Sequence, residues 1–214
     1  MSEAAGAYDA MFQVLSTAEA DRASGLYALL ADAVRELIDA TIRTEADDDV
    51  VAKARSEIEA VTELLRQQTR PVGVSFRVDG RTLPLGNAVV GLCNPIAPPV
   101  VVHHDGDGRC HSEFVLGSAY EGPPGLVHGG VSALVLDHLL GEAASDGLSK
   151  ARFTGTISVK YLRGTPLGPL RCDAWIDRAE GVKVFARGTI SDGEGVTVEA
   201  EGVFIEPAWA RETG

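Results

Sequence analysis

Between Gly125 and Gly141 the chain reads GLVHGGVSALVLDHLLG, a run that limits the folds open to it. Val131, Leu134, Val135 and His138 recur at helical spacing, and Leu139 with Leu140 widens the apolar face, so the spacing predicts a largely buried helix. Such a helix has to be wrapped by a second layer. The flanking sequence changes to a period of two. Val100 to His104 and Arg109 to Leu116 flank DGDG, Asp105 to Gly108, a hairpin signal. After the helix come three alternating runs: Phe153, Ile157, Val159 and Tyr161; Leu170, Cys172, Ala174 and Ile176; Val182, Val184, Ala186 and Ile190. A last strand, Val196 to Ile205, follows the turn DGEG. Strands, one buried helix and more strands predict an α+β fold, an antiparallel sheet wrapped on a central helix.

Residues 1–70 differ in kind. They contain no proline, and fourteen acidic against seven basic side chains leave them at −7. Leu26, Leu29, Leu30, Val34, Leu37 and Ile38 form one apolar helical face, and Val51, Ala54, Ile58, Val61 and Leu65 another. Ser16 with Glu19 suggests a capping box, and Asp47-Asp48-Asp49 suits a helix N-terminus. The expected organisation is a helical extension over 1–70, a Pro- and Gly-punctuated connection over 71–97, the sheet-and-helix domain over 98–206, and a tail over 207–214. No run of 18 apolar residues occurs, and MSEAAGAYDAMF lacks a basic segment followed by an apolar core. A cytoplasmic protein with no membrane insertion is therefore expected. Cys93, Cys110 and Cys172 lack metal or disulfide spacing and are expected to be buried thiols. A net charge of −12 across 214 residues opposes nucleic-acid binding.

The central helix also carries chemistry. Gly129 and Gly130 present bare backbone N–H groups at its start, where four such groups lack partners and the dipole favours negative charge, so a developing oxyanion could sit there. Asp137 is one carboxylate on an apolar cylinder, and buried carboxylates need partners or a task. At about 1.5 Å per residue, Asp137 lies roughly 12 Å along the axis from Gly129. A base and an oxyanion donor serving one carbonyl must lie about 5–6 Å apart. The simplest geometry sets two copies of the helix antiparallel across a twofold axis, Gly129 of one facing Asp137 of the other. In the row Gly130, Ala133, Asp137 and Gly141, the small residues beside Asp137 would leave room for a ligand or a second backbone.

The segment YEGPPGLVHGGVSALVLDH, Tyr120 to His138, resembles the signature of hotdog-fold acyl-CoA thioesterases of the PaaI and THEM4-like type. TGTISVKYLRGTP, Thr154 to Pro166, resembles the family's long central strand, and the likeness runs over roughly residues 90–206. The resemblance implies a hotdog domain and an acyl-CoA substrate. It implies Asp137 as the catalytic carboxylate, the Gly129 N–H as oxyanion donor, His128 beside the thioester and Thr154 positioning water. No cofactor is implied. A homodimer or homotetramer is expected. Several relatives carry an Asn six residues before the His, where this chain has Gly122.

Lys160 and Arg163, with Lys150 and Arg152 near them, could meet CoA phosphates or line a solvated edge. His103, His104, Asp105, Asp107 and His111 form the one metal-like cluster, and they read better as a hairpin, so no metal is expected. His138 beside Asp137 points about 100° away and reads as a core or interface histidine. A hotdog hydratase or dehydratase, which would pair a His with a carboxylate, is the enzymatic alternative. His128 and Asp137 of one helix are about 13.5 Å apart along the axis. A non-catalytic acyl-CoA sensor with the helical extension as its output is the other.

Overall fold

A computed structural model describes residues 12–71, 75–78 and 81–211. The reading of the first eleven residues as leaderless falls outside that range, as does the end of the 207–214 tail.

A six-stranded antiparallel sheet and one long helix make the core. The sheet is built from β4 (His103–Gly106), β5 (Arg109–Leu116), β6 (Phe153–Tyr161), β7 (Gly168–Glu180), β8 (Lys183–Asp192) and β9 (Gly195–Ile205), in the order β4-β5-β7-β8-β9-β6. Helix α3 (Gly129–Ala144) lies across β5 to β9. This is the α+β hotdog arrangement expected from the alternating runs and the buried helix. The turn at Asp107-Gly108 has positive φ at both residues, 49° and 69°, the geometry that joins two twisted strands in a two-residue hairpin. Along β5, β7, β8 and β9 alternate residues are buried, among them Cys110, Phe114, Leu170, Cys172, Ala186 and Phe204. Against them pack Leu136, Leu139 and Leu140, none of which retains exposed surface. Truncating such a leucine to alanine costs about 2–5 kcal/mol, a large part of a domain's stability of about 5–15 kcal/mol.

The helix buries a different stripe from the one read in the sequence. Ser132, Val135, Leu136, Leu139, Leu140 and Ala143 face the sheet, while Leu134 is 39% exposed and the His138 side chain keeps 12% of its surface. The run is apolar nearly all round, so periodicity alone did not choose the face that meets the sheet. Cys93 is half-buried rather than buried; all three cysteines are free.

Ahead of the domain, α1 (Thr17–Arg43) and α2 (Asp48–Arg66) form the helical extension. Ser16 and Glu19 make the reciprocal capping box, and Asp48 and Asp49 occupy the first turn of α2. Helix α1 docks through its small and polar side. Ala20 and Ala31 are buried, Arg35 donates to the carbonyls of Asn94 and Ala97, and the Ser118 hydroxyl donates to Asp39 at 2.6 Å. The leucines of the expected apolar face, Leu26, Leu29 and Leu37, stay exposed. Strands also occur where none was expected. β1 (Phe12–Val14) pairs parallel with β2 (Ser75–Val78), which pairs antiparallel with β3 (Arg81–Leu83), so the extension and the connection share a small sheet. Strands of three or four residues are too short to show an alternation. The tail contains α4 (Ala208–Arg211), whose Trp209 ring meets Phe153 edge-on at 6.4 Å. No helix among the described residues is long and apolar enough to cross a membrane.

Candidate active site

His128 caps α3. Its backbone is extended, at φ −60° and ψ 131°, and its Nδ1 accepts the Gly130 N–H at 3.0 Å. A neutral ring held this way carries its proton on Nε2. The His128 N–H is tied to the Tyr120 carbonyl and the Val127 N–H to that of Thr165. The Gly129 N–H meets no protein acceptor among the described residues, which makes it the free donor at the positive end of the helix.

Eight residues further along, the half-buried Asp137 accepts a hydrogen bond from the Thr154 hydroxyl of β6 at 3.0 Å. A β-bulge makes that contact possible. Thr154 pairs with Phe204 and Thr156 with Val203, so Gly155 is the extra residue. The slip reverses the parity of the strand: Thr154, not Phe153, shares the helix-facing side with Ile157, Val159 and Tyr161. A Cβ on Gly155 would stand 2.7 Å from the tip of the Ile205 side chain, which would have to turn aside to admit one.

Tyr161, at the other end of β6, was not singled out as a site residue in the sequence. Its hydroxyl donates to the Gly129 carbonyl at 2.8 Å. One strand therefore holds the helix at two of the candidate positions, Thr154 on Asp137 midway along it and Tyr161 on Gly129 at its start. The Gly129 carbonyl belongs to the same peptide plane as the Gly130 N–H that His128 accepts, so Tyr161 and His128 fix that plane from two sides. Tyr161→Phe should lower turnover of a thioester substrate about tenfold through loss of this anchor, with KM and melting temperature nearly unchanged. Full retention of kcat would remove Tyr161 from the site.

The remaining expectations meet specific geometry. Gly122 lies flat against the cap: a Cβ there would stand 2.7 Å from the His128 Cα, which leaves no space for the asparagine some relatives carry unless the backbone shifts. Within the small-residue row, Ala133 is half-buried and the space beside Gly141 is taken by the Phe204 ring, whose edge is 3.4 Å from a Cβ placed there. Arg163 is committed to Asp192 in a bidentate ion pair and to the Gly195 carbonyl. That pair, with the Glu194 N–H, holds the Asp192 carboxyl down at about 2. Arg163 thus fastens the β8–β9 turn. Lys160 is exposed and lies opposite Glu199, Lys150 reaches Asp146 at 3.3 Å, and Arg152 approaches Glu206.

In the β4–β5 hairpin the His103 and His111 rings stack, and His111 bonds Asp105 at 2.8 Å. Glu142 was missed in the sequence. It is buried on α3 with His104 and His138 each 3.3 Å from one of its oxygens, and only the His138-to-Glu142 spacing of one helical turn signals it. Among the described residues no three His, Cys, Asp or Glu side chains converge where a metal could be shared.

The sequence profile of the thioesterase superfamily matches residues 124–199, the stretch holding the cap, Asp137, Thr154 and Tyr161. A crystal structure of a thioesterase superfamily protein is similar over 84% of this chain and 90% of its own, with 34% identity and a TM-score of 0.75. The chain belongs to the thioesterase superfamily. Its Asp137–Thr154 contact and uncovered Gly129 N–H are thus features of a member of that superfamily. Acyl-coenzyme A thioesterase THEM4 of Xenopus laevis is 34% identical over 96 residues, which cover 44% of this chain. The chain spans 43% of that relative's length.

Proposed function

We propose that this protein hydrolyses acyl-CoA thioesters at sites shared between two chains. The observation that carries the reading is the pairing of Thr154 with Asp137 midway along α3 and an uncommitted Gly129 N–H at its start. The acyl carbonyl accepts a hydrogen bond from that N–H, and the tetrahedral oxyanion gains typically about 2.7–4 kcal/mol from one good donor. Asp137 acts as a general base on water, with Thr154 steering the carboxylate and the water. Direct attack by Asp137 to give a mixed anhydride uses the same geometry, and an oxygen-18 label appearing in the carboxylate separates the two routes.

One continuous helix keeps Gly129 and Asp137 of a single chain roughly 12 Å apart. A second chain resolves this. The face of α3 turned away from the sheet, with Leu134 and Asp137, is open, and β6 is an edge strand whose Phe153 and Tyr161 are half exposed. An edge of this length with apolar side chains favours pairing with a copy of itself. Two chains related by a twofold axis there set Gly129 against the partner's Asp137. Gly130 and Ala133 then line the bound thioester, His128 stands beside its sulfur, and Lys160 is the available cation for CoA phosphates.

The test is thiol release from acyl-CoAs of varied chain length. Turnover of saturated acyl-CoA supports the reading. Binding without thiol release would make the protein a sensor, and hydration of enoyl-CoA alone would make it a hydratase.

A further inference from the structure

Helix α2 buries none of its 19 residues. Val51, Ala54, Ile58, Val61 and Leu65 form a continuous apolar seam at alternating spacings of three and four, and Val51, Val61 and Leu65 are each about half exposed. Near the connecting turn the seam faces Leu37 and Ala40 of α1 across an open groove of about 330 Å³, so α1 does not close it. An isolated helix of this length is marginal in water, and its stability comes from packing an apolar face. The seam therefore needs an occupant.

The charges beside the seam point to which one. Asp48, Arg55, Glu59 and Arg66 stand at intervals of seven, four and seven on one flank of the helix. Along the chain their signs run minus, plus, minus, plus. Reversed, the series runs plus, minus, plus, minus, and its spacing is symmetric about the helix centre. Two antiparallel copies would thus place Asp48 opposite Arg66, and Arg55 opposite Glu59, at all four positions. In the single chain Arg55 already meets Glu59 at 2.8 Å and Arg66 meets Glu63 at 2.9 Å, so the flank stays satisfied while unpaired.

We infer that α2 is a self-association surface, packing antiparallel on α2 of a second copy of this chain about a twofold axis near Ile58. The contact is isologous, and it is separate from the catalytic residues. It involves neither Asp137 nor Gly129 and holds whether or not the chain hydrolyses thioesters.

The experiment is oxidative cross-linking of the full chain. Ile58→Cys lies on the seam one residue from the twofold axis and forms a disulfide with its own copy, giving a band of twice the chain mass. Ser56→Cys, almost isosteric and on the opposite side of the helix, gives no such band under the same conditions, and neither does the parent chain. Adding Arg55→Glu and Arg66→Glu to Ile58→Cys makes the flank uniformly acidic and suppresses the cross-link. An Ile58→Cys chain carrying Asp48→Lys and Glu59→Lys is uniformly basic and restores the cross-link when mixed with the acidic one. Circular dichroism and thioester turnover measured on each variant report the fold and the separate active site. Absence of the Ile58→Cys cross-link in a folded chain, as cover by a different protein or another stretch of the same chain would produce, overturns the inference. Equal cross-linking of Ser56→Cys, or indifference to the charge changes, also overturns it.

Discussion

Asp137→Asn is expected to lower thioester hydrolysis by about 10²- to 10⁴-fold, the usual worth of a positioned base. The amide has the shape of the carboxylate and still accepts the Thr154 hydroxyl, which lies 3.0 Å from Oδ1, so fold and acyl-CoA affinity should persist. The change therefore separates chemistry from binding. A drop in kcat at constant KM, in steady-state kinetics with the melting temperature as control, is the supporting result. Retention of kcat within about threefold of the parent would exclude Asp137 as base or nucleophile, because a group acting only in the transition state cannot be removed so cheaply.

Mixing two dead chains should restore activity. Gly129→Pro deletes the free N–H with little damage to the helix, because Gly129 is the first helical residue, where proline is favoured. The preceding His128 already has the extended backbone that proline requires of its neighbour. A Cβ at Gly129 stands 3.3 Å from the Tyr161 ring, a contact that a small shift of that half-exposed side chain relieves. Loss of one oxyanion donor typically costs about 10²- to 10³-fold in kcat. In a heterodimer of Asp137→Asn with Gly129→Pro, one site joins the intact Gly129 to the intact Asp137 and the other carries both lesions. Random exchange of equal amounts should revive about one site in four. Measured subunit exchange without recovered hydrolysis would place the whole site within one chain.

Local chemistry was readable where one residue or a short pattern decides the outcome. The Ser16–Glu19 capping box, the acidic first turn of α2, the DGDG hairpin and the glycine start of α3 all depend on neighbours in sequence, and each appears where it was expected. The strand alternation was strong enough to give the sheet on a central helix. Phe153 shows where alternation fails. A period of two put it on the inner face with Ile157, but the bulge at Gly155 turned that face over to Thr154. A bulge depends on what the partner strand offers, here Phe204 and Val203, and a single strand's sequence does not contain its partner.

The sequence by itself determined the six strands of the main sheet, the buried helix and the two candidate groups on it, because periodicity, caps and turns are local consequences of backbone geometry. Tertiary structure decided which contacts those groups make. It brought Tyr161 onto Gly129 across 32 residues of chain, gave Arg163 to Asp192, flattened Gly122 against His128, and left the leucines of α1 exposed while its alanines dock. Each of those outcomes is a competition for space or for a hydrogen-bond partner among residues distant in sequence. Only the packed chain resolves it, because every group can choose its neighbour only after the others are in place.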